Sequence, residues 1–464
     1  MKKVVIIFIL SMMLLSTYPS VSATSDSPTA AQGAILVEAE TGTILYEFNS
    51  HHQHPADHLT RIMTLLLVSR AVESEDADLT ERITMTESAW EGIGRGVPTR
   101  NIQPGEEMTL RDLMYSAFLG GASEASNRIA EHVAGNVESF VALMNYYARE
   151  LGAHRTTFVN THGTHNAAQV TTAYDKYIIF REAMSYPIFA EIAGTQRHTT
   201  DATNRSEARN LTSTNPMLNS RSVYHFPNCV AGKASNTFYG GYSFVAMAEN
   251  DELTLISVIL GSDSIAVAGG AFLMRNISEA RRLFDWGFET FAFRAILSSS
   301  EIVTRAPIRH GAGLDFVNMR PEISLVRLLS NEVSLDDFDR DITVFSIEND
   351  EPLYAPITAG EILGEIRLTR NGVYYGTVRL IANTNVDLHS FEFFMMQVRA
   401  VLSSRITRVI VVVAVLLVVA YAALVIRYNI ARRKRMQRNA RKRAKLVAER
   451  QKQQQEESRQ MFRD

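Results

Sequence analysis

Eighteen consecutive residues, 409–426, carry no charge, and an arginine stands at each end of the run, Arg408 and Arg427. Wound as a helix at about 1.5 Å per residue, such a run just covers a hydrocarbon core about 30 Å thick. A buried core helix is the competing explanation. Val, Leu, Ala and Ile on every face, with arginine at both ends, favour a membrane span. The tail behind it, 427–464, holds 14 Lys/Arg against 4 Asp/Glu, a net of +10. That excess places the tail in the cytoplasm and the long body ahead of the span outside.

The other end agrees. Lys2 and Lys3 precede an apolar stretch over 4–15, and Val21-Ser22-Ala23 offers a small-residue cleavage site. Residues 1–23 therefore read as a secretory signal, and an uncleaved anchor would export the body equally well. The whole chain has a net charge of −3, so everything before the tail sums to −13. An acidic ectodomain is a poor polyanion binder. The basic tail, directly after a span, fits anionic lipid headgroups better than nucleic acid. Residues 451–457 lack apolar periodicity and read as solvated helix or disorder. Cys229 is the only cysteine, so this exported body has no internal disulfide and depends on its core. About 385 exported residues suit two domains.

Within the body, residues 34–38 and 43–47 are short apolar segments joined by Ala39-Glu40-Thr41-Gly42, a β-hairpin pattern. Residues 59–72 carry helical apolar spacing at Ile62, Leu65, Leu66 and Ser69. Further helices are expected at 109–119, 123–134, 137–151 and about 268–290. A second hairpin is expected from 245–247 and 253–260, turned by Glu249-Asn250-Asp251. From 302 to 388 the runs are short and β-prone, such as 342–347, 362–368 and 376–381, and are separated by turns like Arg370-Asn371-Gly372. Phe391, Phe394, Met395, Val398 and Leu402 then line one helical face. This segment is either an amphipathic helix on the membrane surface or a continuation of the span.

Several stretches carry a resemblance. Residues 34–49 look like the opening hairpin of the low-molecular-weight penicillin-binding proteins, the D-alanyl-D-alanine carboxypeptidases of peptidase family S11 (DacA/DacF type). Residues 55–64, ending in Ile62-Met63-Thr64, resemble the family's first catalytic helix. Residues 124–132 resemble the helix after its second motif. Phe140 to Asn145, Leu151-Gly152 and Thr157-Phe158-Val159-Asn160 are close to its most recognisable internal stretch. Ala355-Pro356-Ile357, Gly360 and Leu363-Gly364 resemble its C-terminal β domain. The resemblance covers roughly 30–390.

Acyl transfer of this kind needs a serine nucleophile and a lysine to take its proton, placed by S-x-x-K on one helix face. Counted from Asn49, the serine position falls on His58 and the lysine position on Arg61. An acyl-imidazole is labile, and arginine stays protonated at physiological pH, so it is no base. The family's S-x-N motif becomes Gly121-Ala122-Ser123, with Ser123 in the asparagine's place. Its K-T-G motif becomes Lys233-Ala234-Ser235, where Lys233 could still attract a substrate carboxylate. Ser235 adds a side chain where a ligand backbone would normally approach. The family's oxyanion hole implies backbone amides at His58 and Asn236, which need no particular side chain.

A rewired hydrolase would use Ser123 or Ser235 with His58 as base, a legitimate Ser–His pairing. Neither serine stands where the family attacks. His51, His52, His54 and His58 are close in sequence but lack the spacing and carboxylate support of a zinc site, so no metal or cofactor is expected. His162 and His165 read as loop structure.

The expected fold is α+β: an antiparallel sheet flanked by helices, then a small all-β domain and one C-terminal transmembrane helix. Boundaries fall at 1–23 (signal), 24–292 (carboxypeptidase-like), 293–388 (β domain), 389–408 (amphipathic segment), 409–426 (span) and 427–464 (tail). By resemblance the function is removal of terminal D-alanine from peptidoglycan stem peptides. By residues it is a pseudoenzyme of the cell envelope, binding a stem peptide or a partner protein. A transmembrane sensor is a third reading that rests on topology alone.

Overall fold

The computed structural model describes residues 29–266, 272–403 and 405–460. The signal read at 1–23 and the start of the helix expected from 268 lie outside the described residues. The chain forms two compact units. One takes the described chain up to Ile296 with Leu325–Asp339 and Thr369–Tyr375; the other takes the remainder.

The first unit is built on five strands: β1 (Gly33–Glu38), β2 (Ile44–Phe48), β3 (Cys229–Thr237), β4 (Gly241–Glu249) and β5 (Thr254–Ser262). Their order is β2-β1-β5-β4-β3, antiparallel throughout. Both expected hairpins are present, β4–β5 with longer strands than the sequence pattern marked. Side chains alternate between two cores, as the two-residue period of a strand requires. Ile35 and Val37 of β1, with Ile256 and Val258 of β5, enter one core; Ala34 and Leu36, with Leu255 and Ile259, enter the other. Burying each such aliphatic side chain contributes about 2 kcal/mol.

Helices cover both faces. On the first face lie α1 (Arg61–Glu73), α2 (Leu110–Phe118), α3 (Ser123–Ala134), α4 (Val137–Glu150) and α5 (Ala173–Met184). On the second, α6 (Arg275–Thr290) inserts Ile277, Ala280, Leu283 and Phe284. Side chains of Thr109, Asn136 and Thr172 accept the amides of Asp112, Ser139 and Asp175, capping α2, α4 and α5. Gly135, at φ +79°, ends α3 in the left-handed region. The expected helix at 59–72 opens instead with a 3-10 turn, Asp57–Thr60.

The second unit is built on a six-stranded sheet. Its strands are β6 (Thr304–Arg309), β7 (Phe316–Pro321), β8 (Asp339–Val344), β9 (Leu353–Tyr354), β10 (Ile362–Arg370) and β11 (Val373–Ala382), in the order β8-β10-β11-β7-β6-β9. Asn371 (φ +51°) and Gly372 (φ +77°), which group with the first unit, make the turn marked by Arg370-Asn371-Gly372. The strand read over 342–347 stops at Val344, and Phe345–Glu348 turn into one short helix. Ile347 is 63% exposed there, so no pleated neighbour rewards extending the strand.

Helix α7 (Ser390–Ser403) carries the amphipathic segment, and α8 (Arg405–Gln460) carries the apolar run and the basic residues after it. Among the described residues, α8 is the one helix long and apolar enough to cross a membrane.

Candidate active site

The positions counted from the sequence converge in the first unit. His58 sits on the 3-10 turn, Arg61 at the start of α1, Ser123 at the start of α3, and Lys233 and Ser235 on β3. Asn236, the next residue of β3, is exposed and lies opposite Tyr242 of β4.

Arg61 is the dominant side chain. It is 1% exposed, and its Nη2 donates to the Gly121 carbonyl at 3.0 Å and to Ser123 Oγ at 3.1 Å. Burial pulls its guanidinium down to about 10, opposed by the Glu124 carboxylate. It therefore remains a cation at neutral pH. Glu124, buried in the first turn of α3, accepts the Arg100 and Ile102 amides at 2.7 and 3.2 Å. Desolvation pushes its carboxyl upward. Gly121 has φ +67°, so a serine at that position would be strained in this backbone.

Lys233 is also turned inward. Its Nζ donates to the Phe118 carbonyl at 2.5 Å and lies 4.4 Å from the centre of the Phe118 ring. Burial, reinforced by Arg61, holds its ammonium well below the usual lysine range. The His58 imidazole is pulled down to about 3 by burial first, then by Arg61 and Lys233. Its Nδ1 is buried without a hydrogen-bond partner among the described residues. The His58 backbone N–H donates to Ser235 Oγ at 3.3 Å.

Residues that sequence reasoning did not select complete the enclosure. Asp57, at φ +42°, is buried and accepts from Thr237 Oγ1 at 2.6 Å. A Cβ on Gly240 would lie 1.6 Å from Asp57 Oδ2, so the β3–β4 turn must be glycine there. His54 Nε2 bonds the Gly240 carbonyl at 2.8 Å, and His165 stacks on Tyr239 with ring centres 3.7 Å apart. On the outer edge of β3, the Thr214 hydroxyl accepts the Ala234 N–H at 3.2 Å and donates to the Ala234 carbonyl at 3.0 Å. The four clustered histidines part company: His54 is buried, His58 half-buried, and His51 and His52 exposed. His162 is buried, and its Nδ1 faces the Thr164 hydroxyl at 2.8 Å. Burial, then Arg61, pulls the His162 ring down to about 4. Only the glycines of the 237–241 turn hinted at this close approach.

Lys176 of α5 is 0% exposed and makes one long bond, 3.4 Å, to the Leu59 carbonyl of the 3-10 turn. Desolvation brings it down to about 7. Because removing a poorly compensated buried cation relieves desolvation, Lys176→Met is expected to stabilise the fold by roughly 1–2 kcal/mol at pH 7. A lysine lowered in the folded state stabilises progressively more as pH climbs from 7 towards its unfolded value. The advantage of the variant should therefore shrink between pH 7 and 9. Denaturant titration at the two pH values checks both points, and a less stable variant at pH 7 would refute the first.

This sheet-and-helix architecture is that of the penicillin-binding proteins. Penicillin-binding protein 5 from Haemophilus influenzae superposes with a TM-score of 0.56 at 22% identity, over 78% of this chain and 99% of that one. The carboxypeptidase DacD from Francisella tularensis gives 0.58 at 18% identity, over 78% and 95%. In sequence, DacF of Bacillus subtilis is 25% identical over 405 residues, 85% of this chain and 97% of that protein. DacC of Escherichia coli is 29% identical over 384 residues, 79% and 88% respectively. The family pattern for D-alanyl-D-alanine carboxypeptidases, peptidase S11, matches residues 20–264. The chain belongs to that family.

Proposed function

We propose that this chain is a non-catalytic, membrane-anchored member of the family, acting in the cell envelope by binding a peptidoglycan stem peptide or a partner protein. The observation that carries the reading is Arg61. The position that needs a proton acceptor holds a buried guanidinium fastened to Gly121 and Ser123. A permanent cation cannot take the proton of a nucleophile.

The alternative, a hydrolase rewired through Ser123 or Ser235, gains nothing from His58. Its imidazole, pulled down to about 3, is a weak base, and Ser235 meets the His58 backbone instead. Ser123 accepts its hydrogen bond from Arg61, a cation that cannot take the proton of its hydroxyl. No cofactor enters this proposal. The apolar run 409–426 would anchor the chain, with the body outside and the basic residues after Arg427 against anionic lipid on the cytoplasmic side.

Incubating the full-length protein in detergent with benzylpenicillin and recording its intact mass tests the proposal. No adduct is expected after hours at millimolar drug. A stoichiometric adduct would overturn the non-catalytic reading, and peptide mapping would name the nucleophile.

A further inference from the structure

We propose that Ser235 is a built-in occupant of the site, its hydroxyl standing where a ligand's carbonyl oxygen would have to sit. This rests on the reading of the site as a degenerate acyl-transfer centre. Three observations carry it. Ser235 Oγ accepts the His58 N–H at 3.3 Å, and that amide is the donor an acyl carbonyl would need at the nucleophile position. Ser235 is 2% exposed, so its hydroxyl points into the site and not into solvent. The turn that carries His58 is also tied to the strand that carries Ser235 by Thr237 to Asp57 at 2.6 Å, and just beyond both elements His54, which precedes the turn, bonds the Gly240 carbonyl, which follows the strand, at 2.8 Å.

The contact is thus held by its surroundings. An incoming carbonyl must displace a hydroxyl that is covalently part of the wall and is itself buried. A glycine at 235 would leave the His58 amide free. The consequence is an order of loss: restoring nucleophile, base and proton shuttle would not restore acylation while Ser235 remains.

The test compares two full-length proteins, both carrying His58→Ser, Arg61→Lys, Gly121→Ser and Ser123→Asn, one with Ser235 retained and one with Ser235→Gly. Acylation by a fluorescent penicillin is followed on gels. The glycine form is expected to react at least 100-fold faster. Equal rates, including no reaction in either, would overturn the proposal. An adduct on the unmodified chain would instead refute the non-catalytic reading, so the two failures are distinguishable.

A second measurement does not depend on the multiply substituted chains folding. Hydrogen exchange of the 56–60 segment is compared between the native chain, Ser235→Gly and Ser235→Thr. Ser235→Gly should exchange about tenfold faster at the His58 amide, and Ser235→Thr, which keeps a hydroxyl, should stay near native. Unchanged exchange in Ser235→Gly would also count against the proposal.

Discussion

Arg61→Ala is expected to destabilise the first unit by roughly 3–5 kcal/mol, the range for removing one partner from a buried charged network. Arg61 is among the largest fully buried side chains of the protein, so its loss also leaves a cavity. Two acceptors, the Gly121 carbonyl and Ser123 Oγ, lose their donor. Glu124, whose carboxyl burial pushes upward, loses one of the groups that offset that rise, although the Arg100 and Ile102 amides remain. At about 2–4 °C per kcal/mol for a domain of a few hundred residues, the melting temperature should fall by roughly 6–20 °C. Arg61→Lys should fall between native and alanine, because the ammonium keeps enough donors for both acceptors but the smaller side chain leaves part of the buried guanidinium volume empty. Calorimetry of the full-length protein in detergent reads both variants. A loss under about 1 kcal/mol for Arg61→Ala would mean that the guanidinium does not hold α1 against α3.

Arg61 is fitted to its neighbours as one of a set. A lysine at position 61 would have to be exchanged with its surroundings, since Ser123 and Gly121 now serve the guanidinium. Gly121 at φ +67° shows the same mutual adjustment: the backbone has taken a conformation that a serine would resist. Arg61 Nη2, Lys233 and the His58 amide are thus each spent on an oxygen of the chain itself, while His58 Nδ1 and Arg61 Nε stay buried without a hydrogen-bond partner among the described residues.

Much of the scaffold was legible in sequence because its signals are local. Short apolar runs marked β1 and β2, and helical spacing marked 109–119, 123–134 and 137–151, where α2, α3 and α4 stand, whereas α5 (Ala173–Met184) was not marked. The 3-10 turn at Asp57–Thr60 was not legible, since its positive φ at Asp57 follows from burial against Gly240, far away in the chain. Motif spacing located His58, Arg61, Ser123 and Lys233, but not what each would bond. Lys233 spends its ammonium on a backbone carbonyl 115 residues away, and the His58 amide meets a hydroxyl 177 residues away. Carbonyls and amides are common to every residue, so no residue type flags them. The short helix Phe345–Glu348 escaped for the converse reason: its β-prone residues met no partner strand able to bury them.

Acid should loosen the first unit well above the usual carboxylate range, and two histidines are responsible. His58 is held down to about 3 and His162 to about 4, in both cases chiefly by burial. Unfolded, each would take up its proton near 6.5. Between pH 6.5 and about 4 the unfolded chain thus binds more protons than the folded one, and stability falls as pH falls. Each ring can cost up to about 1.4 kcal/mol per pH unit in that window. His58 is only half-buried, so its share is discounted for screening, and the pair should remove roughly 2–3 kcal/mol between pH 7 and 5. Asp57 and Glu124 act in the opposite direction. Burial raises both carboxyls, so the folded chain holds their protons more tightly and is favoured as pH drops towards 4. Their opposition offsets part of the loss that the histidines cause as the pH falls. Replacing both rings, His58→Gln with His162→Gln, should flatten the stability profile over that interval, while Gln at 162 can still accept from Thr164. Urea titrations at pH 7, 6 and 5 measure the slope directly. A double variant as acid-sensitive as the native chain would show that the histidines are not the groups taking up protons, and Lys176 could not stand in for them because its window opens only above pH 7.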